Sequence, residues 1–95
     1  MEELKDIITL FRKKRGWNDY NSEANFAKSI SIEAAELLEH FQWDEKNFDK
    51  KEVQDELADV LIYSLAMCYH MKVEPKEIIK EKLIDVARRY PEKNC

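Results

Sequence analysis

Two stretches of this 95-residue chain place carboxylates three residues apart, Glu33-Ala34-Ala35-Glu36 and Glu56-Leu57-Ala58-Asp59. On a helix, residues three apart occupy neighbouring turns of one face, close enough to share a ligand. One such pair is common on a solvated helix. Two pairs, each in an apolar helical run and separated by room for a loop and a reversal, aim four carboxylates at one point. That donor set suits a hard divalent cation such as Mg²⁺, with Mn²⁺ as a substitute, and Mg²⁺ binds readily beside phosphates.

The second stretch is the more informative. From Leu57 to Cys68 the chain reads LADVLIYSLAMC, interrupted only by Asp59, Tyr63 and Ser64. At about 100° per residue these apolar positions go all the way round a helix, which marks a helix surrounded by protein. A bare Asp59 there would be desolvated at a cost of several kcal/mol or protonated, a difficulty that a bound cation removes. Asp59 is therefore expected to be the most enclosed of the four. Glu33 falls beside Ile30 and Leu37, on the face expected to be core. Glu39, Glu52 and Asp55 read in part as a solvated acidic face. A di-iron centre would need a Glu-x-x-His step on two helices. Neither His40 nor His70 supplies it, so an oxygen-only site is preferred and both histidines read as surface or interface residues.

The elements that must hold these acids are helical. One glycine, two prolines and no Asn-Gly-type hairpin signal point to an all-α chain. The spacing of Leu4, Ile7, Ile8, Leu10 and Phe11 predicts a first helix over Glu2–Arg15, with Gly16 ending it. Its basic run, Arg12-Lys13-Lys14-Arg15, complements the helix dipole on a solvated surface; contact with phosphates is the sharper alternative. Trp17 to Ser22 is a connection, with Asn21 or Ser22 as N-cap of a second helix reaching Phe41. Asp49-Lys50-Lys51-Glu52 has the form of a capping box and opens a third helix, to Met71. Lys72 to Glu74 turn the chain, Pro75 opens a fourth helix with Ile78, Ile79, Leu83 and Val86 inward, and Pro91 stops it before a loose tail. Short links favour antiparallel neighbours, which would bring Glu33 and Glu36 opposite Glu56 and Asp59. The expected architecture is one domain over 1–95, a four-helix bundle completed by oligomerisation. The far side of the third helix, around Ile62, Ala66 and Tyr69, is expected to meet a partner chain.

Composition narrows the function classes. A net charge of −4 with acids and bases mixed along the chain argues against nucleic-acid binding through phosphate neutralisation. No apolar run is long enough for a membrane span, and no signal-peptide pattern is present. Two distant cysteines, Cys68 and Cys95, make a disulfide unexpected and a reducing, cytoplasmic location the default. There is no Ser–His–Asp or Cys–His arrangement and no glycine-rich phosphate loop. Trp17, Trp43 and Tyr63 could stack on a planar ligand, although each taken alone is more often core or its rim. Tyr63 stands out because it lies one turn beyond Asp59 on nearly the same face.

The run from Glu33 through Glu36 and Glu39 to Phe41-Gln42-Trp43, followed by Asp55-Glu56-Leu57-Ala58-Asp59-Val60-Leu61-Ile62-Tyr63, resembles the MazG-like nucleotide pyrophosphohydrolases of the all-α NTP pyrophosphatase superfamily. The likeness extends from Trp17 to Arg89-Tyr90-Pro91. It implies a MazG fold assembled as a dimer or a dimer of dimers. It implies hydrolysis of a nucleoside triphosphate, often a deoxynucleotide or a damaged one, to the monophosphate and pyrophosphate, as nucleotide-pool house-cleaning. By the same resemblance Glu33, Glu36, Glu56 and Asp59 match Mg²⁺ ligands, and Trp43 and Tyr63 match positions lining the nucleotide pocket. Asn25 and Lys28 lie in its approach, and Lys82 and Arg89 match basic positions that reach the phosphates. Two departures bear on base preference: Val86 where relatives often carry Asn, and Asn21 where some have His.

The chemistry asked of such a site is an in-line attack by water at the α-phosphorus. A carboxylate not fully used as a ligand would accept the water's proton; Glu36 or Glu39 is the candidate. One or two ions fit the acids. Two alternatives stand beside this reading: a phosphoribosyl-ATP pyrophosphatase of histidine synthesis, and a non-enzymatic helical interaction module whose acids are structural.

Overall fold

The computed structural model describes residues 2–93. Cys95 lies outside them, as does the end of the expected loose tail; Cys68 is half-buried with a free thiol. Among the described residues four helices follow in order: α1 (Glu2–Lys14), α2 (Glu23–Glu39), α3 (Lys50–His70) and α4 (Pro75–Arg89), with a 3₁₀ turn at Trp17–Tyr20.

Local chemistry explains the boundaries. Acidic Glu2 and Glu3 open α1 and Arg12, Lys13 and Lys14 close it, each end matched to the helix dipole. Gly16 then takes a left-handed conformation, φ 69°, that a side chain would strain. Ser22 is the N-cap of α2, its Oγ accepting the Asn25 N–H at 3.0 Å. The regular part of α2 stops at Glu39, two residues before the predicted Phe41. Its last turn tightens there, with His40, Phe41 and Gln42 donating to carbonyls three residues back. Asp49 caps α3 through the Glu52 N–H at 3.1 Å. Lys72, at φ 59°, reverses the chain, and Pro75 sits in the first turn of α4.

Helices α2 and α3 carry most of the packing, and α1 lies more lightly on α3. His40 lies beside Glu52 and Glu23 beside His70, so α2 and α3 run antiparallel. The core joins one residue from each of three helices, Ile8, Phe26 and Ala66, with Tyr63, Leu65, Met67 and Tyr69 packed against it. Ala66 was expected on a face turned to a partner chain. Instead it lies within this chain's core, because its small side chain lets α1 and α2 approach α3 there.

Helix α4 departs further from expectation. Ile78, Ile79 and Leu83 were predicted to face inward, yet they are 41, 55 and 58% exposed. The turn at Lys72 directs α4 away from the other helices, and only Pro75 at its start is buried. The radius of gyration of 16.3 Å reflects this; a compact chain of this length would have about 12 Å.

Candidate acidic centre and adjoining pocket

Antiparallel pairing of α2 and α3 brings the two carboxylate pairs together. Ligand oxygens of Glu33, Glu56 and Asp59 lie within 4.8 Å of one another. Oxygens on opposite sides of one Mg²⁺ lie about 4 Å apart, so a small adjustment of side chains would close this set on a cation. Glu36 stands beside them: it hydrogen-bonds with Glu33 and acts on both Glu33 and Glu56.

The electrostatics describe negative charge gathered without compensation. Glu33 is pushed up to about 7 from 4.5. Its hydrogen bond with the Glu36 carboxyl contributes most, followed by burial and repulsion from Glu36, Asp59 and Glu56. Burial, then Glu36, raise Glu56, while the imidazole of His40 opposes the rise. The Oε2 atoms of both Glu33 and Glu56 are buried with no hydrogen-bond partner. Buried acceptors left this way are costly, and a hard cation satisfies both at once. The residues present therefore fit a divalent metal. Enclosure was expected to be greatest at Asp59; instead Glu33 and Glu56 carry the orphaned oxygens, and Glu33 carries the large shift, through its hydrogen bond with Glu36 first and then its burial.

Beside the acids lies a pocket. Asp59 borders a cavity of about 360 Å³ walled by Ile7, Ile8, Phe11, Ile62, Arg12, Trp17 and Tyr63. A second cavity of about 250 Å³ shares Arg12, Trp17 and Tyr63 and adds Asn21, Asn25, Phe26 and Ser29. An apolar, aromatic hollow of this size with a few polar groups is the usual form of a small-molecule site.

The structure gathers some of the residues singled out in the sequence and leaves others apart. Trp17, Asn25 and Tyr63 line the cavities. Lys28 is exposed and lines neither. Trp43 is 89% exposed in the loop after α2, where Asp44 accepts the Lys46 and Asn47 N–H groups and fixes a turn. Glu39 is exposed at the end of α2. Lys82 and Arg89 both reach Asp85 on α4, at 3.4 and 3.5 Å.

Three residues at the site were not among the candidates chosen from the sequence. His40 lies between Glu52 and Glu56, its Nε2 3.7 Å from Glu56 Oε1. Asn21, read as a cap and as a departure bearing on base preference, accepts a 2.7 Å hydrogen bond from Arg12 Nη2. Arg12 was assigned to a solvated basic run, with phosphate contact as the alternative. The signal was present: Arg12 is one helical turn beyond Ile8 and so shares its inward stripe.

The fold is that of an all-α domain whose antiparallel helix pair carries an acidic centre. Its sequence matches the MazG-like family over residues 28–94, and the chain belongs to that family. A pyrophosphatase from Archaeoglobus fulgidus DSM 4304, known from its crystal structure, superposes with a TM-score of 0.84 at 44% identity, covering 97% of this chain and 93% of that one. The dCTP pyrophosphatase 1 proteins of Bos taurus and Homo sapiens are 28 and 27% identical over 100 residues, covering 96% of this chain. The chain spans 59% of the length of these relatives. Among the described residues, no helix is long and apolar enough to cross a membrane.

Proposed function

We propose that this chain is a Mg²⁺-dependent pyrophosphohydrolase that splits (deoxy)nucleoside triphosphates into the monophosphate and pyrophosphate. One observation carries the reading: the converging oxygens of Glu33, Glu56 and Asp59 border, through Asp59, an aromatic cavity of nucleobase scale. The pyrophosphatase from Archaeoglobus fulgidus and the dCTP pyrophosphatases support it by likeness.

Glu33, Glu36, Glu56 and Asp59 would hold the metal. When bound, Mg²⁺ neutralises charge on the triphosphate and acidifies water. The protein's own part is to orient the substrate and to take up a proton. Trp17 and Tyr63 offer ring faces for the base, and the cavity wall of Ile7, Ile8 and Ile62 excludes water around it. Water attacks the α-phosphorus, the α–β anhydride bond breaks, and pyrophosphate leaves with the bonding electrons. Of the two candidates, Glu39 is exposed at the end of α2 while Glu36 stands beside the converging oxygens of Glu33, Glu56 and Asp59 without being one of the three, so Glu36 takes the attacking water's proton.

The same proposal makes the working form a homo-oligomer. The exposed Ile78, Ile79, Leu83 and Ile84 on α4 exceed what a lone soluble chain normally leaves in water. Lys82 and Arg89 lie on that helix and would approach phosphates at a neighbouring copy's site.

The test is a panel of NTPs, dNTPs and phosphoribosyl-ATP with Mg²⁺, with products resolved by chromatography. Monophosphate and pyrophosphate are expected. Orthophosphate and a diphosphate would mean attack at the γ-phosphorus and would overturn the mechanism; turnover of phosphoribosyl-ATP alone would reassign the substrate.

A further inference from the structure

Arg12 is the charged group that the acidic centre does not use. Its Nη2 is tied to Asn21 Oδ1 at 2.7 Å, and its guanidinium carbon lies 5.1 Å from the Phe26 ring centre and 5.8 Å from that of Trp17. Its Nε is buried and has no hydrogen-bond partner. A guanidinium presents N–H donors in a rigid fork, and one left buried without an acceptor in an aromatic hollow is a standing demand for one. It also lines both cavities that meet beside Asp59.

We infer that Arg12 is a specificity residue that donates to a carbonyl oxygen on the edge of the bound base, so the pocket selects guanine, thymine, uracil and cytosine over adenine. This rests on the reading of the pocket as a nucleotide site. The acceptor could in principle be a phosphate, since both offer an oxygen to a guanidinium. Two features favour the base. Asp59 puts the acidic centre, and with it the triphosphate, at one border of the cavity, while Arg12 is held among Trp17, Phe26 and Asn21. Those rings suit a flat heterocycle and not a hydrated anion. Adenine alone among the common bases has no carbonyl, and a good pairing with a base edge discriminates by roughly 1–3 kcal/mol, or about 5- to 150-fold.

The experiment compares kcat/KM for dGTP, dTTP, dUTP and dCTP with that for dATP, in the wild type and in Arg12→Met and Arg12→Gln. The wild type is expected to favour the carbonyl-bearing bases by about tenfold or more. Arg12→Met, similar in length but without donors, is expected to bring that ratio toward one, and Arg12→Gln, which keeps an N–H, to restore part of it. A loss equal on all five substrates would assign Arg12 to the phosphates and overturn the inference.

A second measurement needs neither catalysis nor a folded variant. Chemical-shift titration of the wild type with deoxyguanosine, thymidine and deoxycytidine should give tighter binding than with deoxyadenosine. Equal binding, or no binding of any nucleoside, overturns the inference. Carbonyl preference without turnover of any triphosphate would remove the proposed activity and keep the role of Arg12. Turnover without that preference would do the reverse.

Discussion

Glu33 on α2 and Glu56 on α3 bring carboxylate oxygens within 4.8 Å of each other, and each leaves an Oε2 buried without a partner. Two like charges held this way oppose folding unless a proton or a cation joins them. Stability, pH and metal binding are therefore linked at this pair.

The linkage has a definite sign. Glu33 titrates at about 7 in the folded chain against 4.5 ordinarily, so between those values the folded state keeps a proton that the unfolded chain has lost. That stability is fully present below about pH 4.5 and is lost as pH rises through about 7. The raised Glu56 acts in the same sense. In EDTA the melting temperature should fall between about pH 5.5 and 8, and Glu33→Gln should flatten the profile. A wild-type profile that rises over this interval would contradict the assignment.

Mg²⁺ should act oppositely, because it needs the carboxylates ionised. Its stabilisation, about 2.7 kcal/mol at a hundred times the dissociation constant, should be largest near pH 8 and fade below about pH 6. Differential scanning fluorimetry with and without Mg²⁺ at each pH measures it.

Glu33→Gln keeps the side chain's shape and removes one clustered charge. The variant should be at least as stable as the wild type in EDTA near pH 8, gain little from Mg²⁺, and lose at least about 100-fold in activity. Even groups that only support a metal ligand cost roughly 10–100-fold when removed. Wild-type activity in this variant would remove Glu33 from the metal set.

Trp17→Ala should weaken substrate binding by roughly 1–3 kcal/mol through lost stacking while leaving Mg²⁺ affinity without nucleotide unchanged. Isothermal titration with a non-hydrolysable triphosphate and with Mg²⁺ alone separates the two. Equal binding by variant and wild type would leave Trp17 as a packing partner of Phe11, whose ring it meets edge-on at 5.9 Å.

Assembly should depend on α4. Light scattering at micromolar concentration should show an oligomer, and Leu83→Asp, which places charge at a residue 58% exposed in the single chain, should shift it toward monomer. A wild-type monomer would contradict the proposal. Identical assembly in the variant would move the interface elsewhere, with the open apolar groove at Leu37, Leu38, Phe41 and Leu57 as the next candidate.

What the sequence determined by itself was set by short-range physics. Apolar period, two carboxylate steps and the capping groups at Gly16, Ser22 and Asp49 fixed four helices and put Glu33 and Glu36 on one helix face, Glu56 and Asp59 on another. A cap or a three-residue step involves neighbours in the chain and can be read locally. The tertiary structure decided the rest. Only the pairing of α2 with α3 shows that Glu33 and Glu56 bear the orphaned oxygens, and only the meeting of Ile8, Phe26 and Ala66 turns Arg12 inward to Asn21. The outward course of α4 was hidden for the same reason. An apolar stripe such as Ile78, Ile79 and Leu83 records that a face is to be covered, but not whether its own chain or another covers it.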